Sequence, residues 1–152
     1  MTECFAITLV LATLAHDMTE LHGRWKAVTT LAEGSDVYNE AVECFEWEFQ
    51  FDGKTGKFSE VTTVSWDENG TEHRLRTGFP FSYRLYLGKR PKAIDVIIHE
   101  PNEPWKVERL KGIYSISGDE LTLCYDDAVR PTQFTFFGPM SRSGFFKLKR
   151  QK

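Results

Sequence analysis

The sequence predicts an all-β domain closed into an antiparallel up-and-down barrel of about eight to nine strands. Aromatic residues make up 14% of the chain, with 12 Phe, 5 Tyr and 4 Trp, a content that suits half-buried strands. Short segments of alternating polarity follow one another, joined by Gly, Pro, Asn and Asp turns without a long helical crossover, which is the pattern of antiparallel neighbours. Each segment has one apolar face, and a sheet of that size loses its edges by curling closed. A two-sheet sandwich is the structural alternative. The 152 residues are one domain's worth, long enough to bury roughly 70% of the unfolded surface without a metal or disulfide.

Residues 1–16 form an apolar N-terminal segment and residues 17–152 the barrel. The run from Cys4 to Ala15 is apolar apart from Thr8 and Thr13. It is too short to span a bilayer, but it has the length of a secretory signal core. Glu3 and the absence of a basic residue before it argue against export. A helix covering one end of the fold is the other reading, so cytoplasmic and exported locations both remain open. Asp17, with Glu20 three residues on, forms a capping-box pattern for a short helical turn.

The first strand opens at Trp25, with Trp25, Ala27, Thr29 and Leu31 on one face, and ends at Gly34-Ser35-Asp36. Cys44 to Phe51 alternates most clearly: Phe45, Trp47, Phe49 and Phe51 point one way, Glu46, Glu48 and Gln50 the other. Asp52 to Gly56 reads as a hairpin loop, and the partner strand Lys57 to Trp66 places Phe58, Thr62, Val64 and Trp66 on one face. Asp67-Glu68-Asn69-Gly70 turns the chain. Further strands are expected at Glu72–Thr77, Phe81–Leu87, Ala93–His99, Arg109–Ser117, Glu120–Asp126 and Gly144–Arg150.

Nineteen basic against 22 acidic residues give a net charge of −3, without the positive field that nucleic acid or an anionic membrane requires. Neither is expected as a partner, and the sequence names no protein partner. Cys4, Cys44 and Cys124 are too few and too scattered for a zinc site or disulfide framework, and free thiols are expected. His16, His22, His73 and His99 share no ligand spacing, so no metal is expected. Neither a nucleophile elbow, a phosphate-binding glycine loop, Cys-x-x-Cys nor His-Glu-x-x-His occurs, and no catalytic residue is assigned.

Leu21-His22-Gly23-Arg24-Trp25-Lys26 looks like the entry to a lipocalin-like barrel. The second half adds Arg90-Pro91-Lys92-Ala93-Ile94-Asp95, Leu110-Lys111-Gly112-Ile113-Tyr114 and Gly118-Asp119-Glu120-Leu121-Thr122-Leu123-Cys124-Tyr125. Arg130-Pro131-Thr132-Gln133-Phe134 and Leu148-Lys149-Arg150 complete the set. Together these closely resemble the uncharacterised lipocalin-like domain family best known from planctomycete bacteria, over about residues 19–150, with 37–76 matching in pattern only. The resemblance implies a barrel and a bacterial protein, and it brings no established reaction or ligand. It also implies that Trp25 packs at the closed end beneath Arg150. Lys26-Ala27-Val28 departs from the glycine-rich continuation of haem-binding relatives, and no cofactor is expected.

The leading functional expectation is a noncatalytic module that holds a small, mostly apolar molecule in the barrel, by the rule that barrel mouths are ligand sites. Phe45, Trp47, Phe49, Phe51, Tyr83 and Leu85 are the expected interior binding residues, with Trp25 and Arg150 as the closed-end anchor. A barrel filled by its own aromatics and acting through its outer surface is the alternative, and an enzyme without a recognisable motif stands third. Asp95 is read as an ordinary solvated carboxylate or turn anchor on the outer face. Arg74, Arg76, Arg84 and Tyr86 either line a mouth that docks an anionic head group or, as is commoner, lie outside.

Overall fold

In the computed structural model, which describes residue 16 and residues 18–32, 45–86, 88–135 and 143–152, eight strands close into an antiparallel barrel in chain order. They are β1 (Gly23–Ala32), β2 (Phe45–Asp52), β3 (Thr55–Trp66), β4 (Glu72–Tyr86), β5 (Lys92–Glu100), β6 (Glu103–Ser117), β7 (Glu120–Asp126) and β8 (Gly144–Arg150). β1 pairs with both β2 and β8, so among these strands no edge is left open. A helical turn at residues 18–21 precedes β1. The Cys4–Ala15 run, Asp17, the Gly34-Ser35-Asp36 turn, Cys44 and Leu87 lie outside the described residues, as do the side chains of Thr29, Leu31, Phe45, Thr62, Val64 and Trp66. Cys124 is a free, buried thiol.

The expected strands Glu72–Thr77 and Phe81–Leu87 are one strand, which brings the count from nine to eight. Gly78-Phe79-Pro80 does not break it. Pro80 pairs with Lys57 of β3 and lies one residue beyond Phe81, where the β5 ladder ends at Ile98. A proline there leaves no β5 carbonyl without its donor. β6 likewise starts six residues earlier than expected, at Glu103. The hairpin between β2 and β3 is tighter than Asp52 to Gly56: Asp52 pairs with Thr55, and Gly53 takes φ +65° at the first of two loop positions.

A bulge in β1 between Ala27 and Thr29 shifts the register, so Thr30 and not Thr29 stands opposite Phe146. The simple alternation expected for Thr29 and Leu31 ends at that bulge.

Inside, Trp25, Phe49, Phe51, Phe81, Tyr83 and Ile94 belong to one buried cluster that includes Leu121, Phe146 and Leu148. A second, smaller cluster lies outside the barrel wall, where Phe134 covers Ile113, Cys124 and Phe145. The outer face of β1–β4 is charged in alternation. Arg24 and Arg76 meet Glu48, and Lys26 and Arg74 meet Glu46. The Arg76–Glu48 and Arg74–Glu46 pairs reach across β3, whose Ser59 and Val61 are buried beneath them.

Candidate functional site

The closed end is built from the sequence signals around Gly23-Arg24-Trp25. Leu21 and Trp25 are fully buried, and the indole Nε1 donates to the Leu21 carbonyl at 2.8 Å. The Arg150 guanidinium lies 4.2 Å from the Trp25 ring centre. It also donates to the carbonyls of His22 at 2.8 Å and Glu20 at 2.6 Å, answering acceptors left over at the end of the helical turn. A desolvated cation on an indole face contributes up to about 2 kcal/mol. Above this anchor, Phe51 stands edge-on to Phe81 and Tyr83 at 5.4 and 5.3 Å. Gly56, opposite Phe51, leaves the space that the Phe81 ring occupies.

The open half is built differently. Trp47 stacks on Phe58 at 5.0 Å, Phe49 meets Phe58 and Phe146 at 4.9 and 5.1 Å, and Tyr125 stacks on Phe146 at 5.8 Å. Gly144 makes room for Tyr125, whose ring occupies the position of a side chain there. Among the described residues Trp47, Phe58, Phe79, Ile98 and Tyr125 are partly buried, and their rings line a cup. At its base is an apolar cavity of about 40 Å³, lined by Phe49, Phe58, Phe81, Val96, Ile98 and Phe146 among others. That volume holds about three waters' worth of space at roughly 10–15 Å³ each.

Of the six expected interior residues, the side chain of Phe45 lies outside the described residues and the other five divide. Phe49 lines the cavity and Trp47 belongs to the cup wall. Phe51 and Tyr83 fill the closed half, and Leu85 packs against the same core, so they do not share one pocket with Trp47. Phe58, Phe81, Tyr125 and Phe146 line the cavity without having been singled out from the sequence as binding residues. Their signal was present: Phe58 and Tyr125 each sit at the inward step of an alternating strand. The same alternation puts Glu60 on the inward face between Trp47 and Thr77, and Glu108 opposite Ile98.

The two interior phenols offer no reactive form. Burial pushes the Tyr125 phenol far up, reinforced by nearby Glu108 and Cys124. Burial, then the charge of Asp52, does the same for Tyr83, whose hydroxyl is buried without a partner. Phenols so shifted stay protonated at neutral pH and provide neither a nucleophile nor a base. Among the described residues, no group of three or more His, Cys, Asp or Glu could hold a metal.

Asp95 faces outward, as Ile94 faces the core, but it is not an ordinary solvated carboxylate. It is half-buried, accepts the Tyr86 hydroxyl at 2.5 Å and forms an ion pair with Arg130. Arg130 also donates to the carbonyls of Ile94 at 3.0 Å and Gly112 at 2.7 Å. Segment 127–130 folds back over the barrel wall to deliver this arginine, a tertiary contact that periodicity along β5 does not carry. Arg74, Arg76, Arg84 and Tyr86 all lie on the outer face, not at the mouth.

Neither family models, curated proteins nor solved structures give a match to this chain.

Proposed function

We propose that the protein is a noncatalytic binding module that takes a small, mostly apolar molecule through the open end of its barrel. The observation that carries this reading is the partly exposed aromatic cup around Trp47, Phe58 and Tyr125 above an apolar cavity. Apolar surface kept partly in contact with water and gathered into a concavity marks a binding site. The cavity of about 40 Å³ sets the shape of the occupant: a slender apolar end enters it while the remainder rests against the rings.

The small cavity also favours a second reading, a filled barrel that works through its outer surface. Incubation with a panel of fatty acids and other apolar molecules, followed by native mass spectrometry, separates the two. One-to-one adducts that weaken in Trp47→Ala are expected. No adduct across the panel would overturn the binding module and leave the filled barrel.

A further inference from the structure

The two outer faces of the barrel treat their cations differently. On β1–β4, Arg24, Lys26, Arg74 and Arg76 each have a glutamate within 3.4 Å, and only Lys57 among the cations of that face lacks one among the described residues. On β4–β6, Arg84, Asp95 and Lys111 form one row across three adjacent strands, and Arg109 follows two residues before Lys111 on the same face. Arg84 and Arg109 are exposed, and among the described residues neither has a carboxylate within 4.0 Å. Among the described residues, Lys111 donates to the Ala128 carbonyl at 3.0 Å and has no carboxylate within 4.0 Å.

The carboxylates that might answer them are engaged elsewhere. Asp95 is held by Arg130 and the Tyr86 hydroxyl. Asp126, the β7 neighbour of Lys111, turns its carboxylate to the backbone amides of Ala128 and Val129 at 2.7 and 2.9 Å. Arg84 is positioned by its 5.1 Å stacking on Tyr86, and that ring is fixed by its bond to Asp95. The groove over this row has a volume of about 410 Å³, with Ile97 and Ser82 beside the cations.

We propose that this groove on the outer face of β4–β6 binds a small phosphate monoester through Arg84, Arg109 and Lys111. Arg84, Arg109, Lys111 and Arg130 stand against two carboxylates, Asp95 and Asp126, which leaves a local surplus of positive charge on a chain whose net charge is −3. Two arginine forks and a lysine match the several oxygens of a phosphate dianion, where bidentate, charge-assisted bonds are strongest. The Ile97 side chain provides contact for the group the phosphate carries, and the groove lies within the usual size range of small-molecule sites. This site is separate from the cup and does not depend on the cup being a ligand site.

The test is an NMR titration of the full chain with phenyl phosphate and with inorganic phosphate at constant ionic strength, following the side-chain signals of Arg84, Arg109 and Lys111. Saturable shifts are expected, tighter for phenyl phosphate. Arg84→Gln and Arg109→Gln should each weaken binding by tenfold or more, while Arg74→Gln on the paired face should change it less than twofold. Both groove arginines are exposed, and a thermal melt checks that each variant is folded. Shifts that rise linearly without saturation, or that survive both groove substitutions, would overturn the proposal. So would binding of single-stranded nucleic acid or anionic vesicles where phenyl phosphate does not bind, because the face would then serve a macromolecule.

Discussion

At the closed end of the barrel, Trp25 and Leu21 are completely buried, whereas at the open end Trp47, Phe58 and Tyr125 keep part of their surface in water. Both ends are aromatic, so residue type does not separate them. The difference is in what fixes the rings. Trp25 is held by a hydrogen bond to Leu21 and by Arg150, which itself is tied to two carbonyls and to Asp119 at 3.3 Å. The cup rings contact one another and are linked by no such polar clamp among the interactions described. A clamped ring fills space, and a ring held only by its neighbours can line it.

The largest expected effect lies on the clamped side. Trp25→Ala removes a fully buried indole and strands the Leu21 acceptor, and it should cost about 3–5 kcal/mol by denaturant unfolding. An unchanged midpoint would break the comparison at its root.

Two glycines sharpen it. A Cβ at Gly56 would lie 2.3 Å from the Gln50 carbonyl oxygen and 2.3 Å from the Phe81 ring. Backbone cannot yield there, so Gly56→Ala should cost about 1–3 kcal/mol. At Gly144 the added carbon meets the Tyr125 ring at 2.4 Å. That ring has a cup to turn into, and Gly144→Ala should cost less than about 1 kcal/mol while altering ligand adducts. Equal thermal shifts for the two variants would mean that the open half is packed as tightly as the closed half.

How much of this was legible in the sequence follows the range of the interactions. The Phe45–Phe51 alternation and the Gly23-Arg24-Trp25 entry are local, and they located strands, inward faces and the anchor tryptophan. The resemblance, not the spacing, paired Trp25 with Arg150, which lies 125 residues away in the chain. Wall and plug could not be told apart from Trp47 and Phe51, because alternation gives the face of a strand and not its height in the barrel. Height depends on register around all eight strands. The continuity of β4 from Thr77 to Phe81 is not local, because the tolerance of Pro80 there depends on where the β5 ladder ends. The outward face of Asp95 follows from alternation along β5, but its pairing does not, because its partner Arg130 arrives from a later segment.

The smallest expected effect lies outside both ends and separates their contrast from general surface electrostatics. Burial raises the Glu48 carboxyl, but the hydrogen bond and charge of Arg76, with those of Arg24, outweigh it and hold the group below its usual 4.5. A lowered folded value means that this stabilisation is complete above about pH 4.5 and disappears as pH falls through the lowered value. Glu48→Gln should therefore reduce stability slightly at pH 7 and flatten the loss on acidification, as seen in thermal midpoints from pH 7 to pH 3. A wild-type-like acid slope in that variant would place the effect on other carboxylates.

The central claim, that one half of the interior is a plug and the other a receiving cup, is tested most directly with the indole N–H signals of Trp25 and Trp47 during a titration with 1-octanol. This probe is slender and uncharged, so the cationic outer groove has no hold on it. The account predicts a saturable shift of the Trp47 signal, together with Phe49, Phe58 and Ile98, while Trp25 stays in place. A Trp25 shift as large as that of Trp47, or no saturable shift in the cup, would contradict it.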